Sequence, residues 1–103
     1  MNHPQNPSPT VIWSVAGHDS GGGAGLSADQ RAADAFGVHL CPVLAAITAQ
    51  STTAVTRVAA VPADLFEAQL DTLQADLPPR AIKTGLLGDP DQVQALARRI
   101  DRL

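Results

Sequence analysis

The sequence is poor in cysteine and has no long apolar run. Its one cysteine, Cys41, cannot form an internal disulfide, and its neighbours in HLCPVLAAI predict a buried structural thiol. A single cysteine that is predicted to stay an unpaired thiol indicates a reducing compartment, and we expect the protein in the cytoplasm. No stretch reaches the roughly 20 apolar residues of a membrane span. The first residues, MNHPQNPSP, lack the apolar core of a signal peptide, so a disordered tail is predicted over 1–9.

Charge is also sparse. Charged residues make up 17% of the 103 residues, the net charge is −3, and the seven basic residues are scattered. This pattern does not predict a nucleic-acid surface. Arg98, Arg99 and Arg102 are expected to form the solvated face of a helix. The length allows one small domain or part of one.

Four apolar runs with helical patterns between them predict the fold class. Strands are expected over 10–17, 38–50 and 55–61, and a short strand and turn within 80–88. The alternation predicts an α/β fold whose parallel sheet is covered by helices on both faces. Three helices are few for two faces, and the last one continues to the C-terminus without a glycine cap. We therefore expect the N-terminal part of a larger domain.

Helical spacing and end signals predict three helices. The first covers 25–36 and stops at Gly37, and the second lies within 62–77. Asp89 and Pro90 suit the N-cap and first position of the third. The residues expected to face the core are Gly25, Ala28, Ala32 and Phe36 in the first helix, Phe66, Leu70, Leu73 and Leu77 in the second, and Val93, Leu96, Ala97, Ile100 and Leu103 in the third.

Five of the eight glycines lie in one stretch of fourteen residues, AGHDSGGGAGLSAD, at 16–29. Glycine permits positive φ and lets another molecule approach the backbone closely, so the stretch is a candidate ligand loop. A Walker A loop is excluded because the only lysine, Lys83, lies far downstream. A dinucleotide fingerprint, G-x-G-x-x-A, is present, but no Asp or Glu occurs between 34 and 64 to bind the ribose.

The glycine stretch resembles that of the hydroxymethylpyrimidine and phosphomethylpyrimidine kinases of thiamine biosynthesis, members of the ribokinase-like family. AITAQST is similar to the family's stretch with the pyrimidine-contacting Gln or Glu, DLFEAQLDTL to its next helix, and AIKTGLLG to the following strand and turn. The motifs follow the family's order over roughly 11–103. The resemblance implies a three-layer α/β/α sandwich with a mostly parallel sheet, of which 10–103 is the N-terminal part.

The resemblance also implies a function. The complete protein is expected to phosphorylate 4-amino-5-hydroxymethyl-2-methylpyrimidine and its monophosphate, with ATP and Mg²⁺. The alternatives are a pyridoxal or pyridoxine kinase of the same family and a non-catalytic pyrimidine-binding module. The family's GTGC-like anion hole with its cysteine base, and its ATP-binding elements, have no counterpart here, so this chain alone is expected to be inactive. A further expectation is that the complete protein forms a homodimer.

Six residues are expected to bind the pyrimidine, and no catalytic or metal-binding residue is predicted in this chain. The Gln50 amide can pair with a ring nitrogen and an exocyclic amine, although an edge glutamine bonded to backbone or water is the plainer alternative. Asp29, expected in the first helical turn, would accept a bond from a substrate hydroxyl or organise the pocket. Leu86 stands where the family often has a methionine. The six are Gly17, Gly23, Ala24, Asp29, Gln50 and Leu86.

Overall fold

The computed structural model describes residues 9–103, so the predicted tail at 1–9 lies outside it except for its last residue. The strands are β1 (Val11–His18), β2 (His39–Gln50), β3 (Val55–Ala60) and β4 (Ala81–Thr84), and the helices are α1 (Gly25–Phe36), α2 (Ala63–Asp76) and α3 (Pro90–Ile100). The first three strands and first two helices agree with the predicted bounds to within one residue at each end.

The four strands form one sheet in the order β3-β2-β1-β4. Strand β1 is parallel to both β2 and β4, whereas β2 and β3 are antiparallel. The sheet is therefore mostly parallel, with β3 as the exception. Only residues 51–54 separate β2 from β3, and a parallel crossover needs about a dozen residues, so these strands must form a hairpin.

Helices cover both faces of the sheet, as the sequence predicts. On β1, Ser14 faces α1, to which its hydroxyl is hydrogen-bonded. Its neighbours Trp13 and Val15 point the other way, because side chains alternate along a strand. They join the main hydrophobic core with residues of β2, α2 and α3, including Phe66 and Leu70.

The predicted core residues of α1 are not the buried ones. Phe36 is 84% exposed, and the one buried residue of the helix is Ala33. The helix docks on the sheet through Asp29, whose carboxylate binds Ser14 and Lys83. Asp29 and Ala33 are four residues apart and so share one side of the helix. The polar contact and the small alanine therefore face the sheet. Phe36 lies on the same side, seven residues from Asp29, but at the last residue of the helix it stays exposed.

The predicted core face of α3 is also wrong in most positions. Val93 and Ile100 are about half exposed, while the helix buries Gln92 and Arg99 together with Ala95 and Leu96. Gln92 is fully buried and satisfied, because its Nε2 donates to the carbonyls of Ala45 and Val61 and its Oε1 accepts from the Gly88 N–H. Buried polar groups with such partners cost little, so hydrophobicity alone does not select the buried side.

Arg99 is buried, which corrects the prediction that it lies on a solvated face. Its guanidinium makes ion pairs of 2.8 Å with Glu67 and 3.0 Å with Asp71, both on α2. The hydrogen bond from Arg99 lowers the pKa of the Asp71 carboxyl below its ordinary value. Arg98, by contrast, is exposed, as predicted. The packing of α3 on α2 thus combines an apolar contact with a charged one.

Candidate functional site

A cavity of about 300 Å³ lies at the carboxyl ends of the three parallel strands. Ligands of open α/β sheets bind at this edge, outside the carboxyl ends of the strands. The wall is formed by the end of β1, the loop into α1, the end of β2, and the strand β4 with the turn that follows it. Its lining residues are Ala16, Gly17, His18, Asp19, Ala24, Gly25, Thr48, Gln50, Lys83, Gly85 and Leu86.

Four of the six predicted binding residues line this cavity, namely Gly17, Ala24, Gln50 and Leu86. Gly23 does not line the cavity. It lies in the loop between β1 and α1, where its N–H donates to Asp19. Asp29 is the fifth residue of α1, and the first turn of that helix holds no acidic residue. The prediction that Asp29 lies in the first turn is therefore wrong, because the helix already begins at Gly25.

Asp19 organises the glycine loop. Its Oδ1 accepts the Gly21 N–H at 2.7 Å, and its Oδ2 accepts those of Gly23 at 3.1 Å and Ala24 at 2.9 Å. The side chain is 6% exposed. A carboxylate that accepts several backbone N–H groups does for this loop what a bound anion does in a phosphate-binding nest. The amides of the loop are thus already occupied, and its glycines serve a tight fold around Asp19.

Gly25 brings the start of α1 against the end of β1. Its φ is +64°, and a Cβ there would collide with the carbonyl oxygen of Gly17. The two segments touch closely enough to form an isolated β-bridge between His18 and Gly25. Glycine is required at this position both for its backbone conformation and for the space, and the contact closes one corner of the cavity.

Hydrogen bonds to the main chain of Gln50 hold this residue at the cavity. The Ser20 hydroxyl donates to the Gln50 carbonyl and accepts the Gln50 N–H, both at 2.7 Å, which ties the end of β2 to the glycine loop. The Gln50 Oε1 lies 3.2 Å from the Thr48 hydroxyl, whose closer contact, 2.7 Å, is the His18 carbonyl. Since a hydroxyl has one proton, the shorter bond takes it. The Gln50 amide remains available to a ligand.

Leu86 supplies an apolar wall across from the sheet. A Cβ built on Gly17 would lie 3.4 Å from its Cδ2, so the bare glycine backbone leaves room for this side chain. Leu86 is 51% exposed. Its exposed half offers a ring an apolar contact at this end of the sheet.

Lys83 brings a positive charge to the cavity. Its Nζ lies 2.8 Å from the Asp29 Oδ2, which also accepts a 2.5 Å bond from the Ser14 hydroxyl. Burial acts to raise the pKa of the Asp29 carboxyl, but the hydrogen bonds from Lys83 and Ser14 outweigh it and the net pKa lies below the ordinary value. Asp29 thus stays ionised and anchors the ammonium group. Lys83 lines the cavity, whereas Asp29 does not line it and contributes through its ion pair with Lys83.

Sequence reasoning missed the roles of Asp19, Ser20 and Lys83. A signal for Asp19 was present, because an aspartate just before a glycine run is typical of a side chain that caps its own following backbone. The contacts of Ser20 with Gln50 and of Lys83 with Asp29 span 30 and 54 residues. No local pattern in the sequence points to them.

Comparison with known proteins identifies the family. A model of the phosphomethylpyrimidine kinase family matches residues 19–103. The chain belongs to this family. The hydroxymethylpyrimidine/phosphomethylpyrimidine kinase of Rhizobium meliloti is 43% identical over 92 residues, which are 89% of this chain and 35% of that protein. The corresponding kinase of Synechococcus elongatus is 44% identical over 90 residues, with shares of 87% and 34%. The chain therefore spans about a third of the length of these relatives.

Solved structures of family members and related vitamin kinases share the fold. The phosphomethylpyrimidine kinase from Clostridium difficile gives a TM-score of 0.85 at 32% identity, over 90% of this chain and 40% of that chain. The pyridoxal kinase from Staphylococcus aureus in complex with AMP-PCP and pyridoxal gives 0.83 at 28% identity, with shares of 93% and 36%. These likenesses confirm the predicted ribokinase-like α/β fold.

Over residues 9–103 no helix is long and apolar enough to cross a membrane. Within the same range no cluster of three or more His, Cys, Asp or Glu side chains could hold a metal ion.

Proposed function

We propose that the complete protein phosphorylates 4-amino-5-hydroxymethyl-2-methylpyrimidine and then its monophosphate, and that this chain supplies the pyrimidine pocket. The observation that carries the proposal is the cavity itself, which brings Gly17, Ala24, Gln50 and Leu86 together at the carboxyl ends of parallel strands. Its volume, about 300 Å³, is at the small end of the range for ligand pockets and suits a single substituted ring.

Gln50 is the proposed reader of the pyrimidine edge. An aminopyrimidine presents a ring nitrogen that accepts beside an exocyclic amine that donates, and a primary amide can satisfy both. The ring would lie against the exposed part of the Leu86 side chain, which itself packs on the bare backbone of Gly17. Asp29 contributes through Lys83, and Gly23 through the loop that Asp19 organises.

ATP and Mg²⁺ do not fit the described residues. The loop amides that a phosphate group would need already bind the Asp19 carboxylate, and the Asp29 carboxylate is paired with Lys83. Neither carboxylate is therefore free for a metal ion. We assign nucleotide binding to the part of the relatives' length that this chain does not span, and we expect this chain alone to be inactive. The free, buried thiol of Cys41 supports a cytoplasmic location.

Removal of the Gln50 amide tests the pocket. In the complete enzyme Gln50→Ala should weaken pyrimidine binding by about 1 to 3 kcal/mol, because the ligand edge is left unpaired. This is roughly tenfold to a hundredfold in Kd by isothermal titration. ATP affinity should not change, and Gln94→Ala, an exposed amide on α3, should leave both ligands unaffected. Unchanged pyrimidine affinity in Gln50→Ala would remove Gln50 from the site.

A pyridoxal kinase is the second candidate, because a solved neighbour is a pyridoxal kinase with pyridoxal bound. A substituted pyridine would fill a pocket of this size equally well. Turnover of the complete protein with each ring separates the two. Phosphorylation of pyridoxal without phosphorylation of the pyrimidine would replace the first proposal with the second. Homodimer formation stays a prediction.

A further inference from the structure

We propose that Lys83 recognises the phosphate group of the phosphorylated pyrimidine and so determines the preference for the monophosphate over the alcohol. The inference rests on the proposed function, since it takes the pyrimidine pocket as its starting point. It assigns a specificity-determining role to a residue of the AIKTGLLG stretch to which the sequence analysis gives no role.

Lys83 is the one source of permanent positive charge at the cavity. It is the only lysine of the chain, and no arginine is among the lining residues. Its side chain is 50% exposed, so the ammonium is reachable from the cavity. The other lining groups are backbone, apolar side chains, the Gln50 amide, the Thr48 hydroxyl, the His18 imidazole and the Asp19 carboxylate, none of which carries a permanent positive charge.

The Lys83 ammonium group is held in place by Asp29 but keeps N–H donors for a ligand. Asp29 accepts one of its three protons at 2.8 Å and is itself fixed by Ser14. Within residues 9–103, Asp29 is the sole hydrogen-bond partner of the Lys83 Nζ, so two donors remain for phosphate oxygens. A flexible lysine that is already anchored loses less rotamer freedom on binding an anion than a free one would.

The carboxylate that lines the cavity beside Lys83 is internally compensated. Asp19 also lines the cavity, but its two carboxylate oxygens accept three backbone N–H groups of the glycine loop. Those bonds hold the Asp19 carboxylate in the loop, and no hydrogen bond or ion pair joins it to Lys83 in the described part of the chain. The positive charge therefore faces the cavity without a second carboxylate on it.

The test compares two ligands on the complete enzyme by isothermal titration. The wild-type enzyme should bind the monophosphate about five- to tenfold more tightly than the alcohol, the range for a charge-assisted contact at a half-exposed site. Lys83→Gln should abolish this preference while alcohol affinity stays within about twofold, and Lys83→Arg should retain it. Arg80→Gln, which removes an equal charge from an exposed residue outside the cavity, is the control. Thermal unfolding of each variant verifies that it is folded.

Each result decides the proposal. Loss of the preference in Lys83→Gln alone supports it. Equal weakening of both ligands would overturn it and leave the pyrimidine pocket intact, because Lys83 would then serve the pocket's structure. If Lys83→Gln weakened ATP and not the monophosphate, the charge would serve the nucleotide and the proposal would fail. Binding of neither ligand by the folded wild-type enzyme would overturn both this inference and the placement of the pyrimidine site.

Discussion

Asp19→Asn is the sharpest perturbation of the loop that frames the cavity. The carboxylate accepts from the N–H groups of Gly21, Gly23 and Ala24. An asparagine keeps one acceptor oxygen, and in either orientation of its amide at least one of these N–H groups faces an NH₂ donor. The substitution leaves the shape of the side chain nearly unchanged, so the effect reports on hydrogen bonding and charge.

The expected cost follows from the three bonds. One hydrogen bond to a charged acceptor is lost, at about 1.5 kcal/mol, and each remaining bond weakens by about 0.5 kcal/mol when its acceptor becomes neutral. The loop should therefore lose about 2 to 3 kcal/mol of local stability. Because loops open independently of the core, this cost appears first in local opening.

Amide hydrogen exchange measures that opening directly. Exchange at Gly21, Gly23 and Ala24 should accelerate roughly 30- to 150-fold, the range that the expected cost gives. Asp34→Asn is the control, because Asp34 is exposed and its carboxylate bonds only to Gln30 among the described residues. If protection of the loop amides were the same in Asp19→Asn and wild type, the role assigned to Asp19 would be refuted.

Two further substitutions test the packing around the site, each with a neighbouring control. Gly25→Ala should lower stability by about 3 kcal/mol or more, because it combines positive φ with a backbone collision. The Tm should fall by about 12 °C or more. Gly23→Ala, where a Cβ would meet only the Asp19 Oδ2 at an ordinary 3.7 Å, should shift the Tm by less than half as much, and equal shifts would contradict the packing argument. Arg99→Met should lower the free energy of unfolding, measured in urea, by about 1 to 2 kcal/mol, because it leaves carboxylates on α2 without their partner. Arg98→Met should cost under about 0.5 kcal/mol, and a reversed order would show that α3 is rotated from its described position.

Local features of this protein could be predicted from the sequence. Gly37 ends α1 with a left-handed φ of 68°, and the Asp89 side chain accepts the Gln92 N–H at the start of α3, both as predicted. The spacing of Phe66 and Leu70 also identifies the buried side of α2. These interactions join residues at most four positions apart. Residue type and spacing are therefore enough to specify them.

The residue composition of the cavity could be predicted in part. Gly17, Ala24, Gln50 and Leu86 were expected through resemblance to a family, and they line one cavity. Without that resemblance, Gln50 would have been read as an ordinary edge glutamine. The sequence by itself determined that a glycine loop follows a buried strand, but not which side chain the loop encloses.

Tertiary structure decided which residues of α1 and α3 are buried and which charges meet. Asp29 reaches Lys83 across 54 residues, and Arg99 reaches α2 across 28 and 32. The docking of each helix includes these polar contacts. Helical spacing alone predicted an exposed Arg99 and a buried Phe36, because it weighs hydrophobicity and cannot include a polar partner elsewhere in the chain. A buried polar group is stable only when its partners are in place, and the tertiary fold is what supplies them.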